Sequence, residues 1–337
     1  TITTSNHPKI DIRSLHDGSL DEILYFAKQC KLRDVYLISH DYIRGRVGNR
    51  FIQFSKRKLE HSEVDRLMKQ MAATDNITRV YSGESVNDRY EMYDKKNCNK
   101  SSGFRFSLTK YTYPKSSAYN CAIRPIDDIP PTVEFTMLEP AFINHVENMT
   151  SGLILMIGAT GQGKTATIAS LMRYILEKES NQRIVEYSSP IEYTFFGITV
   201  HESNHIIQHS VSETGNGGDM KTYEMAIQTS MRQAATWYAI GEMTERHSFK
   251  AALALANTGH IVSSTVHANS VSSAYSRIYN MFPSDDRSGI INDLINEGEI
   301  FASHRLVDRK GGGMIAIREY LIKTDEVREK LKLAASI

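Results

Sequence analysis

The stretch LILMIGATGQGKTATIASLMRYIL, residues 153–176, constrains this chain more than any other. An apolar run of strand length meets a glycine-rich loop, then a lysine and a threonine, then apolar residues at helical spacing. Gly158-Ala159-Thr160-Gly161-Gln162-Gly163-Lys164-Thr165 fits GxxxxGK[ST]. Glycines let the backbone turn tightly, so that successive N–H groups point inward and cradle phosphate oxygens. The helix that follows adds its positive N-terminal end. Lys164 is then placed to reach the β- and γ-phosphates of a nucleotide, and the Thr165 hydroxyl to bind Mg²⁺. Ile168, Leu171, Met172, Ile175 and Leu176 form one helix face after the loop. A chance glycine turn meets the pattern but not this context.

Around the loop the chain alternates between strand and helix signals. The apolar runs LILMIG, RIVEY, WYAIGE and HIVSSTVHA read as buried strands. Helices are expected between them at Thr165–Glu179, Tyr223–Ala234 and Ser248–Thr258. That alternation predicts an α/β domain with a parallel sheet and helices on both faces. The first part of the chain reads differently. A helix is expected over Ser14–Lys31, capped by Asp17 or Ser19. DVYLIS and YIRGRVGNRFIQF alternate as strands, with turns at Gly45 and Gly48–Asn49. HSEVDRLMKQMAA reads as a second helix, and GFRFSLTKYTYPKSSAYNCAIRPI as a hairpin around Pro114. This predicts a smaller α+β domain over residues 1–126 with a mainly antiparallel sheet. DDIPPTVEF, with two adjacent prolines, reads as a linker over 127–135, leaving 136–337 for the loop-bearing domain. Gly311–Gly313 reads as a hairpin turn.

Composition narrows the setting. No run of about 18 apolar residues exists, so no transmembrane helix is expected. The opening TITTSNHPKIDIRSL lacks a basic stretch followed by an apolar core, so no secretory signal is expected. Cys30, Cys98 and Cys121 are scattered and not in CxxC pairs, which disfavours a disulfide framework or zinc site and suits a reducing cytoplasm. The net charge of +1 divides into +6 through Val133 and −5 beyond it. Two ordinary solvated surfaces explain this, as do basic and acidic faces meeting between subunits. No long basic arm exists, so sequence-specific nucleic acid binding is not expected.

Nucleotide hydrolysis also needs a group that orients water and one that helps hold Mg²⁺. Such groups stand at the C-terminal ends of strands beside the loop. Glu242 follows WYAIG directly, and Glu192 follows Pro190 just past RIVEYSS. Glu186 falls inside its strand, where it reads as an exposed or edge carboxylate. His260 and His267 flank IVSSTV; each could balance a helix dipole or bond to the backbone, and their spacing is not a convincing metal pattern.

Taken together, these stretches resemble the secretion ATPases of the PilT-like type IV pilus retraction family. GATGQGKT is similar to their Walker A loop, SSPIEY to their aspartate box, AIGEM with TERHS to their Walker B region, and NTGHIVSSTVHANS with RIYNMFP to their histidine box. GFRFSL and CAIRPI resemble the arginine-bearing strands of their N-terminal domain. Within the group the chain looks most like the DotB/TraJ-like members of type IVB secretion and conjugation systems. The resemblance implies a RecA-like P-loop ATPase domain preceded by a smaller PAS-like α+β domain. It implies ATP contacts along Gly158–Ala166, with Lys164 and Thr165 binding phosphate and Mg²⁺. Glu192 is the implied catalytic base, and Glu242 the Walker B glutamate that helps hold the metal. His260 and His267 are the implied histidine-box pair, and Arg105, Arg124 and Arg232 the implied phosphate-facing arginines. The implied assembly is a homohexamer in the cytoplasm, tied to the inner membrane through components of a secretion or pilus machine.

Three departures stand out. Family members usually carry Glu-Asp where this chain has Ser188–Ser189, and Asp-Pro-Asp where it has AATW around Trp237. An arginine near the aspartate box is replaced within IIQHSV. Retained Lys164, Glu192 and Glu242 favour a motor driven by ATP hydrolysis. The serines favour an alternative, a ring-forming scaffold that binds nucleotide and hydrolyses it little. A small-molecule kinase would need an acceptor pocket and lid that the sequence does not show.

Overall fold

The computed structural model describes residues 8–335 apart from 48–49, 73, 95–96, 115, 127–128, 212–217 and 311–313. The start of the chain through His7, the turns expected at Gly48–Asn49 and Gly311–Gly313, and the first two linker residues therefore lie outside the described residues. The chain divides into two compact units, Thr1–Asp128 and Ile129–Ile337.

The first unit runs α1 (Ser19–Gln29), β1 (Asp34–Ile38), β2 (Tyr42–Val47), β3 (Arg50–Lys58), α2 (His61–Met71), α3 (Thr74–Tyr81), β4 (Val86–Asp94), β5 (Asn97–Tyr113) and β6 (Ser116–Pro125). Its strands form one antiparallel sheet in the order β3-β2-β1-β6-β5-β4. Alternation puts Val35, Leu37, Phe104, Phe106, Cys121 and Ile123 on one face, where Leu20, Ile23 and Leu24 of α1 and Val64, Leu67 and Met68 of α2 cover them. Each such side chain contributes about 1.5–3 kcal/mol when fully buried. The first helix starts at Ser19, later than expected, and neither Asp17 nor Ser19 caps it. Gly18 occupies the cap position without a side-chain bond, and the Ser19 hydroxyl accepts from His16 N–H at 2.8 Å instead. The short α3 and the polar β4 were not expected. Packing of Ile77, Val80 and Val86 into the core defines them.

The second unit runs α4 (Pro140–Asn148), β7 (Gly152–Ile157), α5 (Lys164–Glu177), β8 (Arg183–Ser188), β9 (His205–Ser210), α6 (Tyr223–Ser230), β10 (Trp237–Ile240), α7 (Arg246–Asn257), β11 (Ile261–Val266), α8 (Val271–Met281), α9 (Ser284–Glu297), β12 (Gly298–Asp308), β13 (Met314–Ile322) and α10 (Asp325–Ala335). The sheet order is β13-β12-β7-β11-β10-β8-β9, parallel throughout except for the antiparallel β12–β13 hairpin. Strands covered on both faces read as continuous apolar runs. Leu153, Leu155 and Ile157 of β7 pack with α7, α8 and α9, while Ile154 and Met156 pack with α4 and α5. Trp237, the single tryptophan, is buried at the start of β10 and donates its indole N–H to Ser263 Oγ at 2.8 Å. The helix expected over Tyr223–Ala234 is shorter and ends at Ser230, and Ala234 takes a left-handed φ of +48° that no helix continues. From Ile129 onward the Pro-Pro segment belongs to this unit, where Val133 joins the core.

Cys30 is half-buried and Cys121 buried, both as free thiols; burial pushes the Cys121 thiol up. Among the described residues no helix is long and apolar enough to cross a membrane. No group of three or more potential ligands is poised to hold a metal ion among them either.

Candidate nucleotide site

The loop between β7 and α5 is built on glycines in backbone conformations that other residues adopt poorly. A Cβ on Gly158 would stand 2.5 Å from the carbonyl oxygen of His304 on neighbouring β12. Gly163 caps α5 with a left-handed φ of +87°, which turns the chain into the helix. The loop is tied down from the side as well, because Leu306 N–H donates to Gln162 Oε1 at 2.7 Å.

Lys164 opens α5 and is buried. Its ammonium donates to the carbonyls of Gly158 at 2.7 Å and Ala159 at 2.9 Å, and lies 3.4 Å from His267 Nδ1. His267 Nε2 in turn stands 2.8 Å from Glu242 Oε1. One proton arrangement satisfies the whole chain: Lys164 donates to the Nδ1 lone pair, and Nε2–H donates to the carboxylate. Burial pulls the Lys164 pKa down, and the charges of Glu242 and Glu192 push it back up. Strand polarity produces this cluster. β7, β10 and β11 are parallel neighbours, so the residues just past their C-terminal ends converge. Gly241 N–H donates to Tyr187 O at 2.8 Å and Thr265 Oγ1 donates to Gly241 O at 2.9 Å, which fixes the turn carrying Glu242.

Glu192 lies half-buried beyond β8, close enough for its charge to act on Lys164. The segment after it is pinned by Gln208 of β9, whose Nε2 donates to Tyr193 O at 2.7 Å. Glu186 corrects the sequence expectation. It is buried and not at an edge, because β9 pairs along β8 and covers it. Its two oxygens accept from Ser188 Oγ and Gln208 Nε2, each at 2.6 Å. Glu186, Ser188, Gly241, Thr265 and Thr165 share the walls of one small cavity. The oxygens of Thr165 and Glu242 are a hydroxyl and a carboxylate, donors that suit Mg²⁺ alongside substrate phosphates.

Two expected site residues stand elsewhere. His260 precedes β11 and His267 follows it, so six strand residues separate the pair by about 20 Å or more. His260 Nδ1 lies 3.1 Å from Leu255 O and from Thr258 Oγ1, and its carbonyl accepts from Gly152 N–H at the start of β7. Arg232 is exposed in the turn after α6, ahead of β10, at that same N-terminal end of the sheet. In the first unit, Arg105 and Arg124 are direct cross-strand partners on β5 and β6 and both are exposed. Arg124 Nε donates to Asp34 Oδ1 at 2.7 Å.

Sequence reasoning missed the groups behind the loop. His304 is buried, with Nδ1 3.3 Å from Thr167 Oγ1, and burial together with Arg318 and Lys164 pushes its pKa down to about 4. No local pattern marks it, since its role follows from β12 lying beside β7. Gln208 could have been found as a polar residue within an apolar alternation.

A glycine-rich loop between a parallel strand and a helix, with a lysine at the helix start and carboxylates past adjacent strands, defines a P-loop nucleotide-binding domain. The chain belongs to the type II/IV secretion system protein family, whose model matches residues 112–309. It is 32% identical to the type IV pilus ATPase PilU of Pseudomonas aeruginosa over 203 residues, covering 60% of this chain and 50% of that protein. It is 28% identical to the pilus retraction ATPase PilT of the same organism over 188 residues, covering 56% and 52% respectively. The chain thus spans about half the length of the curated relatives it matches. Its fold is that of the Legionella pneumophila ATPase DotB, with TM-score 0.84 at 23% identity over 97% of this chain and 88% of that one. It is also that of the retraction motor PilT solved with bound ADP, with TM-score 0.77 at 24% identity over 94% and 88%. The PilT-like resemblance read from the motifs holds.

Proposed function

We propose that this chain is an ATPase motor of a type IV pilus, type IVB secretion or conjugation system. The observation that carries the reading is Lys164, held between the loop carbonyls and the His267–Glu242 pair, with Glu192 close by. Inward N–H groups of the loop bind the phosphates of ATP, and Lys164 leaves its carbonyl partners to reach the β- and γ-oxygens. Thr165 and Glu242 hold Mg²⁺, which supplies charge neutralisation on the phosphates when bound. Glu192 orients the attacking water and takes its proton. Glu242 also holds His267, so that the imidazole presents a fixed face to the γ-phosphate. On this reading the second unit is RecA-like and the first PAS-like. Arg105 and Arg124 bring guanidinium charge to the nucleotide phosphates. Six copies form a ring in the cytoplasm at the inner-membrane components of the machine.

A second reading keeps one observation in its favour. Ser188 presents a neutral hydroxyl, already donated to Glu186, where family members usually carry an acid. That favours a nucleotide-binding ring scaffold with little hydrolysis. Steady-state ATP turnover of the purified chain, measured with its mass in solution, separates the two. The motor reading expects Mg²⁺-dependent turnover by a hexamer. A hexamer that binds ATP without turnover would replace it with the scaffold, and a monomer with full turnover would remove the ring.

A further inference from the structure

Behind the phosphate loop lies a polar network inside an otherwise apolar core. The Thr167 hydroxyl lies 3.1 Å from Gly163 O and donates to it, so toward His304 it accepts, and Nδ1 of His304 carries the proton. Ser170 Oγ donates to Thr167 O at 2.8 Å and meets Thr136 Oγ1 at 3.1 Å. Thr136, Thr167, Ser170 and His304 are all buried. The network closes through Arg318, the direct β13 partner of His304 on β12. Its guanidinium donates to Thr136 O at 2.5 Å and Met137 O at 2.9 Å, and stands 3.5 Å from Glu139. Residues 136–139 lie in the opening segment of the second unit, a few residues past Pro130–Pro131 and just ahead of α4. At its other end the network meets the loop twice and α5 once: His304 O against Gly158, Leu306 N–H on Gln162, and His304 Nδ1 at Thr167.

Buried polar networks stabilise when every member is satisfied and cost free energy when some are not. Here His304 Nε2 and Arg318 Nε are buried without a hydrogen-bond partner, and Glu139 Oε2 has only the ion pair with Arg318 at 3.5 Å. These unmet groups leave the network free to rearrange when one of its members moves.

We infer that Thr136, Arg318 and His304 are positioning residues that couple the entry segment of the second unit to the phosphate loop. The inference rests on the nucleotide-binding reading above. A shift of residues 136–139 pulls on Arg318, the β12–β13 hairpin moves with it, and the backing of Gly158 and Gln162 changes. Nucleotide affinity therefore depends on residues that touch no nucleotide.

The experiment measures the MgATP dissociation constant of the full chain by fluorescent-nucleotide displacement, with thermal stability recorded for each variant. Thr136→Val removes one hydroxyl, and Arg318→Met removes the guanidinium while keeping an apolar stem. Each is expected to weaken MgATP binding by about tenfold, and the pair together by less than the product of the two. Asn204→Ala is the control. Asn204 is buried and bonds the carbonyls of Ile175 and Leu176 at the far end of α5, so it costs stability without touching the network. Its affinity is expected within twofold of the parent. If folded Thr136→Val and Arg318→Met bind like the parent, or if Asn204→Ala weakens binding as much as they do, the coupling is overturned. If Arg318→Met does not fold, Thr136→Val alone decides. Lys164→Ala in the same assay distinguishes the two failures: if it binds MgATP like the parent, the nucleotide site itself has been misassigned.

Discussion

At the C-terminal end of the parallel strands a lysine, a histidine and a glutamate from three elements stand within reach of one another. At the N-terminal end, a histidine from the same strand as the first bonds to the turn it belongs to, and an arginine points from an exposed loop. The residue types are similar, and the six residues of one strand separate the two histidines. Direction makes the difference. In a parallel sheet every strand delivers its following residue to the same edge, and the helices that return the chain begin there with their positive ends. The opposite edge receives helix C-termini, whose carbonyls are occupied with closing turns.

The largest effect belongs at the rich end. Lys164→Ala is expected to abolish ATP turnover and most MgATP binding, measured by coupled assay and nucleotide displacement. Parental turnover would show that the loop assignment is wrong. Next comes Glu192→Gln, which should lower turnover by about 10²-fold or more while leaving ATP affinity nearly intact, because a base acts on water and not on phosphate. Glu186→Gln should do little to turnover. The amide can still accept from Gln208 and donate to Ser188, once the serine hydroxyl turns round. Reversed outcomes for the two glutamates would move the base into the sheet.

Acidification gives a smaller effect. His304 titrates at about 4 in the fold and at about 6.5 when unfolded, so the unfolded chain binds the extra proton between those values. Stability is therefore expected to fall as pH drops from about 6.5 to 4, by up to about 3 kcal/mol. In His304→Gln that part of the slope should vanish in denaturant titrations. An unchanged slope would mean that His304 is already charged or solvated. The smallest effect tests the poor end of the sheet: His260→Ala and Arg232→Ala should each leave the MgATP dissociation constant within twofold. A tenfold loss in either would break the comparison between the two edges.

The sequence made the loop, its strand and its helix legible because their signals are local: spacing of glycines, a buried run of six residues, a periodic helix face. Glu192 and Glu242 were placed by the same logic, through strands ending just before them. What stayed hidden depends on strand order. Glu186 reads as an edge residue until β9 is known to flank β8. The resemblance pairs His260 with His267, while the strand between them, at about 3.3 Å per residue, holds them at its opposite ends. Arg318 and His304 become partners through a hairpin register that the sequence does not print. Even Glu63 and Arg57, in a stretch that looks like plain charged surface, form a two-pronged ion pair at 2.7 and 2.8 Å.

Trp237 starts β10 at the poor end of the sheet, sealed in the core with its indole N–H spent on Ser263. As the single tryptophan, it makes the chain's intrinsic emission a reporter of one place. Light from that ring will track the melting of the parallel sheet and shift red when water reaches it. It will stay nearly silent as nucleotide fills the opposite edge, so an optical signal for binding has to come from the ligand or from a label introduced near the loop.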